Sequence, residues 1–256
     1  MTYHQQTVVV ETADQLLQPK TRRSFLRLLA TGGTAVLLPG MFAACDDDDG
    51  GPAGLGGGTG STVTLDFSDA NDVGGLNYAY ALEQLEAAFY AQVVARSGAV
   101  LTADEASIMA DIRNHEAIHA AFFRQVLGAG AIGALDMSRT FTSIDFASRT
   151  AVLTAARDFE DTGVAAYNGA AQYLKQGANA LTAAKIVSVE ARHAAVIRDM
   201  LDPSATAQAS ASFAPRAFDD ALDVPVIVAR VDDYIVQRLE AANKPEPVQI
   251  ITPPDA

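Results

Sequence analysis

Two Glu-x-x-His pairs, Glu116-x2-His119 and Glu190-x2-His193, are the residues best spaced for chemistry in this chain. A step of three along a helix puts carboxylate and imidazole on one face, within reach of a common ion. One such pair is ordinarily a solvated surface pair. Here each pair interrupts an apolar seam whose steps alternate between three and four. One seam runs Met109, Ile112, Glu116, His119, Phe123, Val126, and another Ala183, Ile186, Glu190, His193, Ile197, Met200. Two further seams break in the same way. These are Leu76, Ala79, Glu83, Glu86, Tyr90, Val93 and Leu153, Ala156, Glu160, Gly163, Tyr167, Ala170, Leu174. An isolated ionised carboxylate is expensive in such a core. Four seams with the same apparent error need a common compensation. Two divalent cations would balance four carboxylates, with two neutral imidazoles completing the ligand set.

The elements that must position these groups read as four helices in two hairpins. The first spans about 71–96, with Asn71 or Asp72 as its cap, and the second about 103–127, opened by the Thr102/Glu105 capping box and stopped by Gly128. The third spans about 146–176, and the fourth runs from Asn179 or Thr182 to Met200. Short first and last connections and a long middle one, about 129–146, predict the crossover type of bundle. A short fifth helix is expected over 224–239, with Pro225 in its first turn, although the density of Val and Ile also allows a strand. Residues 62–67 alternate weakly and suit one extended segment.

The plan repeats within the chain. Glu83-x6-Tyr90 precedes Glu116-x2-His119 as Glu160-x6-Tyr167 precedes Glu190-x2-His193, so two like hairpins would assemble about a pseudo-twofold axis. With this ordered set, the stretch over about 71–201 resembles the ferritin-like superfamily of diiron-carboxylate four-helix bundles. The resemblance implies an all-α, up-down-down-up bundle with a long crossover. It implies Glu83 and Glu160 as terminal ligands, Glu116 and Glu190 as bridges, and His119 and His193 as the imidazole ligands. The cofactor would be two Fe ions, a mixed Mn/Fe pair or two Mn ions, and the small-molecule partners O2, peroxide or Fe2+. Family activities include ferroxidase, peroxidase and catalase chemistry. The stretch Leu82-Glu83-Gln84-Leu85-Glu86-Ala87-Ala88-Phe89-Tyr90 is similar to exported bacterial ferritin-like proteins related to desiccation and stress proteins.

Other residues near the seams divide between functional and structural readings. Glu86 is an extra ligand, a neighbouring carboxylate or an exposed edge residue. Tyr90 and Tyr167 are catalytic candidates, donating O–H to a ligand or passing electrons, or else core aromatics with satisfied hydroxyls. Gly163 leaves room for oxygen or a bridging ligand, or only for close helix packing. His115 lies about 100° around the helix from Glu116 and is expected at the surface. Asp111, Asp158 and Asp161 read as surface charge, and Met109 and Met200 as core filler.

Composition bounds the rest. The chain has 256 residues, a formal net charge of −13 and a single cysteine. The acidic balance argues against nucleic acid and favours gathering cations. One cysteine excludes an internal disulfide framework and a thiolate-only zinc site. Residues 1–44 read as an export signal: Arg22, Arg23 and Arg27 precede an uncharged apolar run, and the Arg22-Arg23 pair resembles a twin-arginine signal. Phe42-Ala43-Ala44-Cys45 resembles a lipoprotein cleavage box with Cys45 as the lipid-bearing residue, the alternative being soluble export. Residues 45–62, with Asp46 to Asp49 followed by Gly-rich sequence, are expected to be a flexible tether. The expected domains are therefore signal 1–44, tether 45–62, bundle 63–203, and loop, packed helix and irregular tail over 204–256. An envelope oxidoreductase is the leading function. A non-enzymatic metal-binding or stress-protective envelope protein is the second, with a homodimer allowed and a closed storage shell disfavoured by the tether.

Overall fold

Four long helices carry the chain: α1 Val73–Arg96, α2 Ala103–Leu127, α3 Arg149–Ala170 and α4 Gly177–Leu201. The computed structural model describes residues 61–137, 141–202 and 213–248, all within the compact unit Leu55–Ala256. The expected signal, the Cys45 anchor and nearly all of the tether lie outside the described residues. α1 pairs with α2 and α3 with α4, and the long 128–148 connection crosses between the hairpins to give the up-down-down-up bundle.

The helix starts are set by side chains. The capping box forms as the sequence suggests: Glu105 N donates to Thr102 Oγ1 at 3.3 Å and Thr102 N to Glu105 Oε2 at 2.8 Å. Glu105 Oε1 also accepts from Arg149 Nε at 3.0 Å, and Arg149 Nη2 donates to Met200 O at 2.6 Å. One guanidinium therefore ties the starts of α2 and α3 to the end of α4.

Several boundaries differ from expectation, the start of α4 for a long-range reason. Asp72 stands at the α1 cap position with φ 65°, but its side chain does not cap α1. Its carboxylate instead accepts from Lys175 N (2.7 Å), Gln176 N (2.9 Å) and Asn179 Nδ2 (3.0 Å). These contacts hold the entry to α4, which begins at Gly177 rather than at 179 or 182. α3 starts at Arg149 behind the Ser148 cap and stops at Ala170, followed by one 3-10 turn over Ala171–Tyr173.

The C-terminal element is shorter than the 224–239 helix expected. α5 spans Val224–Val231, started by the Asp223 side chain on Val224 N, with Pro225 in its first turn. A second strand follows, β2 Arg238–Ala242. It pairs in parallel with β1 Thr62–Asp66, with Thr62 opposite Arg238. The alternation over 62–66 buries Val63 and Leu65. Among the described residues, the fold is all-α apart from this two-stranded ribbon. At one end of the core, the Phe89 ring meets Phe159 at 4.6 Å and Phe141 at 5.5 Å between centroids. No helix among the described residues is long and apolar enough to cross a membrane.

Candidate metal centre

At mid-length of the bundle the four broken seams face one another. Glu83 comes from α1, Glu116 and His119 from α2, Glu160 from α3, and Glu190 and His193 from α4. The four glutamates have 0% exposure and His193 has 5%, while the His119 side chain is 13% exposed. The apolar residues above and below each of them, such as Ala79 and Val93 on α1 and Ile186 and Ile197 on α4, pull these faces inward and bury the acids with them. Donor atoms gather in two overlapping groups: Glu83, Glu116, His119 and Glu190, and Glu116, Glu160, Glu190 and His193. Within each group the atoms lie within 4.8 Å of one another. Glu116 and Glu190 belong to both groups.

The polar contacts within this cluster do not close on themselves. His119 Nδ1 stands 3.3 Å from Glu83 Oε2, 3.3 Å from Glu116 Oε2 and 2.9 Å from Glu190 Oε1. His193 Nδ1 stands 3.0 Å from Glu116 Oε1, 3.4 Å from Glu160 Oε2 and 3.1 Å from Glu190 Oε2. Each nitrogen carries at most one hydrogen yet faces three oxygens. Glu83 Oε2, Glu116 Oε1, Glu160 Oε2 and Glu190 Oε1 lie close to an imidazole but outside hydrogen-bond geometry, and they are left orphaned. Orphaned buried carboxylate oxygens are costly, and cations satisfy them directly. The donor set is oxygen and imidazole without sulfur, which suits iron or manganese. The residues present therefore fit a binuclear metal site.

Protonation shows the same demand. Burial pushes Glu83 up to about 8, and Glu86 and Glu160 well above the usual carboxylate range. Burial alone would lower His119 and His193, but hydrogen bonds to the surrounding glutamates outweigh it and push each up to about 12. Burial acts to raise Glu190 too, and is outweighed by the two histidines, which hold it at about 2. In the metal-free protein, protons do the charge balancing that cations would otherwise do.

The residues around the cluster bear on the readings drawn from sequence. Tyr90 Oη donates to Glu160 Oε1 at 2.5 Å, and Tyr167 Oη donates to Glu83 Oε1. Each tyrosine thus reaches across to a glutamate of the other hairpin. Glu86 is buried, not an edge residue, and its Oε2 has no hydrogen-bond partner. It lies outside both four-residue groups. Gly163 leaves no open room for a small ligand: a Cβ there would sit 2.7 Å from Glu86 Oε1, so the Glu86 carboxylate takes the space. Met109 and Met200 are buried among apolar side chains. Asp161 is not simple surface charge, because Arg198 binds it. Val126 drifts out of its seam to 47% exposure.

One neighbour of the site was missed by spacing. His115 is exposed, as its helical angle requires, yet its Nδ1 lies 2.9 Å from His193 Nε2. The only signal in the sequence is its adjacency to Glu116.

With the fold and this geometry in place, comparison with known families gives one match. The model of the ferritin-like domain family matches residues 71–203, just over half of the chain, and the protein belongs to that family. Among curated proteins nothing matches.

Proposed function

We propose that the protein is an envelope oxidoreductase that holds two iron ions, two manganese ions or one of each, and oxidises Fe2+ or consumes peroxide. One observation carries this reading: two four-atom donor groups share Glu116 and Glu190 at the centre of a ferritin-like bundle. Glu83 and His119 would hold one ion, Glu160 and His193 the other, and Glu116 and Glu190 both. Such a pair, when bound, supplies two-electron chemistry toward O2 or peroxide. The chain's own residues do the rest. Tyr90 and Tyr167 orient the terminal glutamates through their O–H donors. Glu86, whose burial pushes its carboxyl well above the usual range, lies beside the cluster. An apolar cavity of about 20 Å3 abuts the Tyr167 ring, lined by Leu76, Ala79, Leu82, Phe123 and Ala183. It has room for one molecule the size of water or O2.

The test is to load the purified protein with Fe2+ or Mn2+ without oxygen, measure bound metal, and then follow peroxide or O2 consumption. About two ions per chain and multiple turnovers are expected. Metal at trace level would overturn the reading. A second reading, metal held for structure or buffering in a non-enzymatic envelope protein, draws on the complete burial of the four glutamates. Full loading without turnover would select it. Export through the 1–44 signal, attachment through Cys45 and a homodimeric state belong to the proposal. Metabolic palmitate labelling, lost in Cys45→Ala, checks the anchor.

A further inference from the structure

We propose that His115 is a positioning residue that makes the two ends of the centre unequal, so that the His193 end holds its metal ion more tightly than the His119 end. This rests on the metal-binding reading above. The His115 and His193 rings are nearly parallel, 13° apart with centroids at 5.1 Å, and His115 Nδ1 meets His193 Nε2 at 2.9 Å. On its inner side His193 presents Nδ1 to Glu116, Glu160 and Glu190. A neutral imidazole that offers a bare Nδ1 to a cation carries its hydrogen on Nε2. His115 Nδ1 is the acceptor for that hydrogen. The bond fixes both the tautomer and the ring direction of His193, the task that an outer partner performs for a metal-bound histidine.

The pseudo-twofold relation breaks here. The residue before Glu116 is His115, and the residue before Glu190 is Val189. Valine has no side-chain acceptor, and every described contact of His119 is made through Nδ1. His119 is also the more exposed of the two, at 13% against 7% for the side chains. Among the described residues, one imidazole is held in its metal-binding form by a second histidine from another helix, and the other is not.

The experiment is a calorimetric titration of the full-length metal-free chain with Mn2+ alone, repeated for His115→Ala and His115→Gln. Wild type is expected to fill in two distinct steps. In His115→Ala the tighter step should weaken by about 10- to 100-fold, with the weaker step unchanged. In His115→Gln, whose amide oxygen also accepts a hydrogen bond, much of the loss should be recovered. Nitrogen NMR of the Zn2+-loaded protein provides a readout that general destabilisation would not move. The His193 Nε2–H should resonate downfield and exchange slowly with solvent in wild type, as a hydrogen-bonded N–H does, and lose both features in His115→Ala. An unchanged tight step, equal weakening of both steps, or no recovery with Gln would overturn the inference while leaving the metal site standing. No binding by wild type of Mn2+, nor of Fe2+ in a parallel anaerobic titration, would remove the metal reading, and this inference with it.

Discussion

Tyr90 and Tyr167 each satisfy one oxygen of a buried glutamate, Glu160 and Glu83 respectively, whose other oxygen is orphaned. Removing the Tyr90 hydroxyl by Tyr90→Phe therefore leaves Glu160 with neither oxygen bonded. In the metal-free protein that should cost about 1–3 kcal/mol. In the metal-loaded protein the cost should be smaller, because the cations engage the carboxylate. Thermal melts with and without Mn2+ check this, and an equal loss in both states would count against it. Gly163→Ala places a Cβ against Glu86 Oε1, so a loss of about 1–3 kcal/mol is expected. The loss should largely vanish in a Glu86→Ala background, where the obstructing carboxylate is gone. At this scale the sequence was informative wherever the relevant geometry is local. The three-residue step in each Glu-x-x-His and the four- and seven-residue steps to the tyrosines are properties of a single helix. The His115–His193 contact depends on how α2 and α4 are rotated against each other, which no spacing within either helix encodes.

Element boundaries follow the same division. The start of α2 is written in Thr102 and Glu105, three residues apart, and it appears where the pattern places it. The start of α4 depends on Asp72, more than 100 positions away, and the sequence placed it too late. The strand β2 exists because β1 lies alongside it, so Arg238–Ala242 carries no strong pattern of its own. The approach of the 220–224 segment to α3 is equally invisible locally. It depends on Gly169, where a Cβ would stand 1.8 Å from Leu222 O, and on the bond from Leu222 N to Ala165 O at 3.0 Å. Backbone blocks that position, so Gly169→Ala should push the segment off α3 at a cost of about 1–3 kcal/mol or more. Hydrogen exchange at the Leu222 amide should accelerate markedly. Unchanged protection would show that the contact is not required.

For the whole molecule, the buried cluster makes stability depend on pH in a definite direction. Glu83 is raised from 4.5 to about 8, so its contribution is complete below 4.5 and is lost as pH climbs through 8. His119 and His193 are raised from 6.5 to about 12, so theirs is complete below 6.5 and is lost toward 12. Glu190, lowered to about 2, acts oppositely, but only as pH falls below 4.5. The metal-free protein should therefore melt at progressively lower temperature as pH rises from 4.5 to 8. Added Mn2+ should stabilise it more at pH 8 than at pH 5, since the ions displace the protons that burial retains. Calorimetry across that range tests both slopes, and a flat metal-free profile would contradict them. The central claim is that the buried acids of four helices meet around two cations, and anomalous diffraction from crystals loaded with Mn2+ tests it most directly. The account predicts two peaks about 3.5–4 Å apart, bridged by Glu116 and Glu190, with Glu83 and His119 on one and Glu160 and His193 on the other. Peaks confined to surface carboxylates, or a cluster without metal between its glutamates, would contradict it.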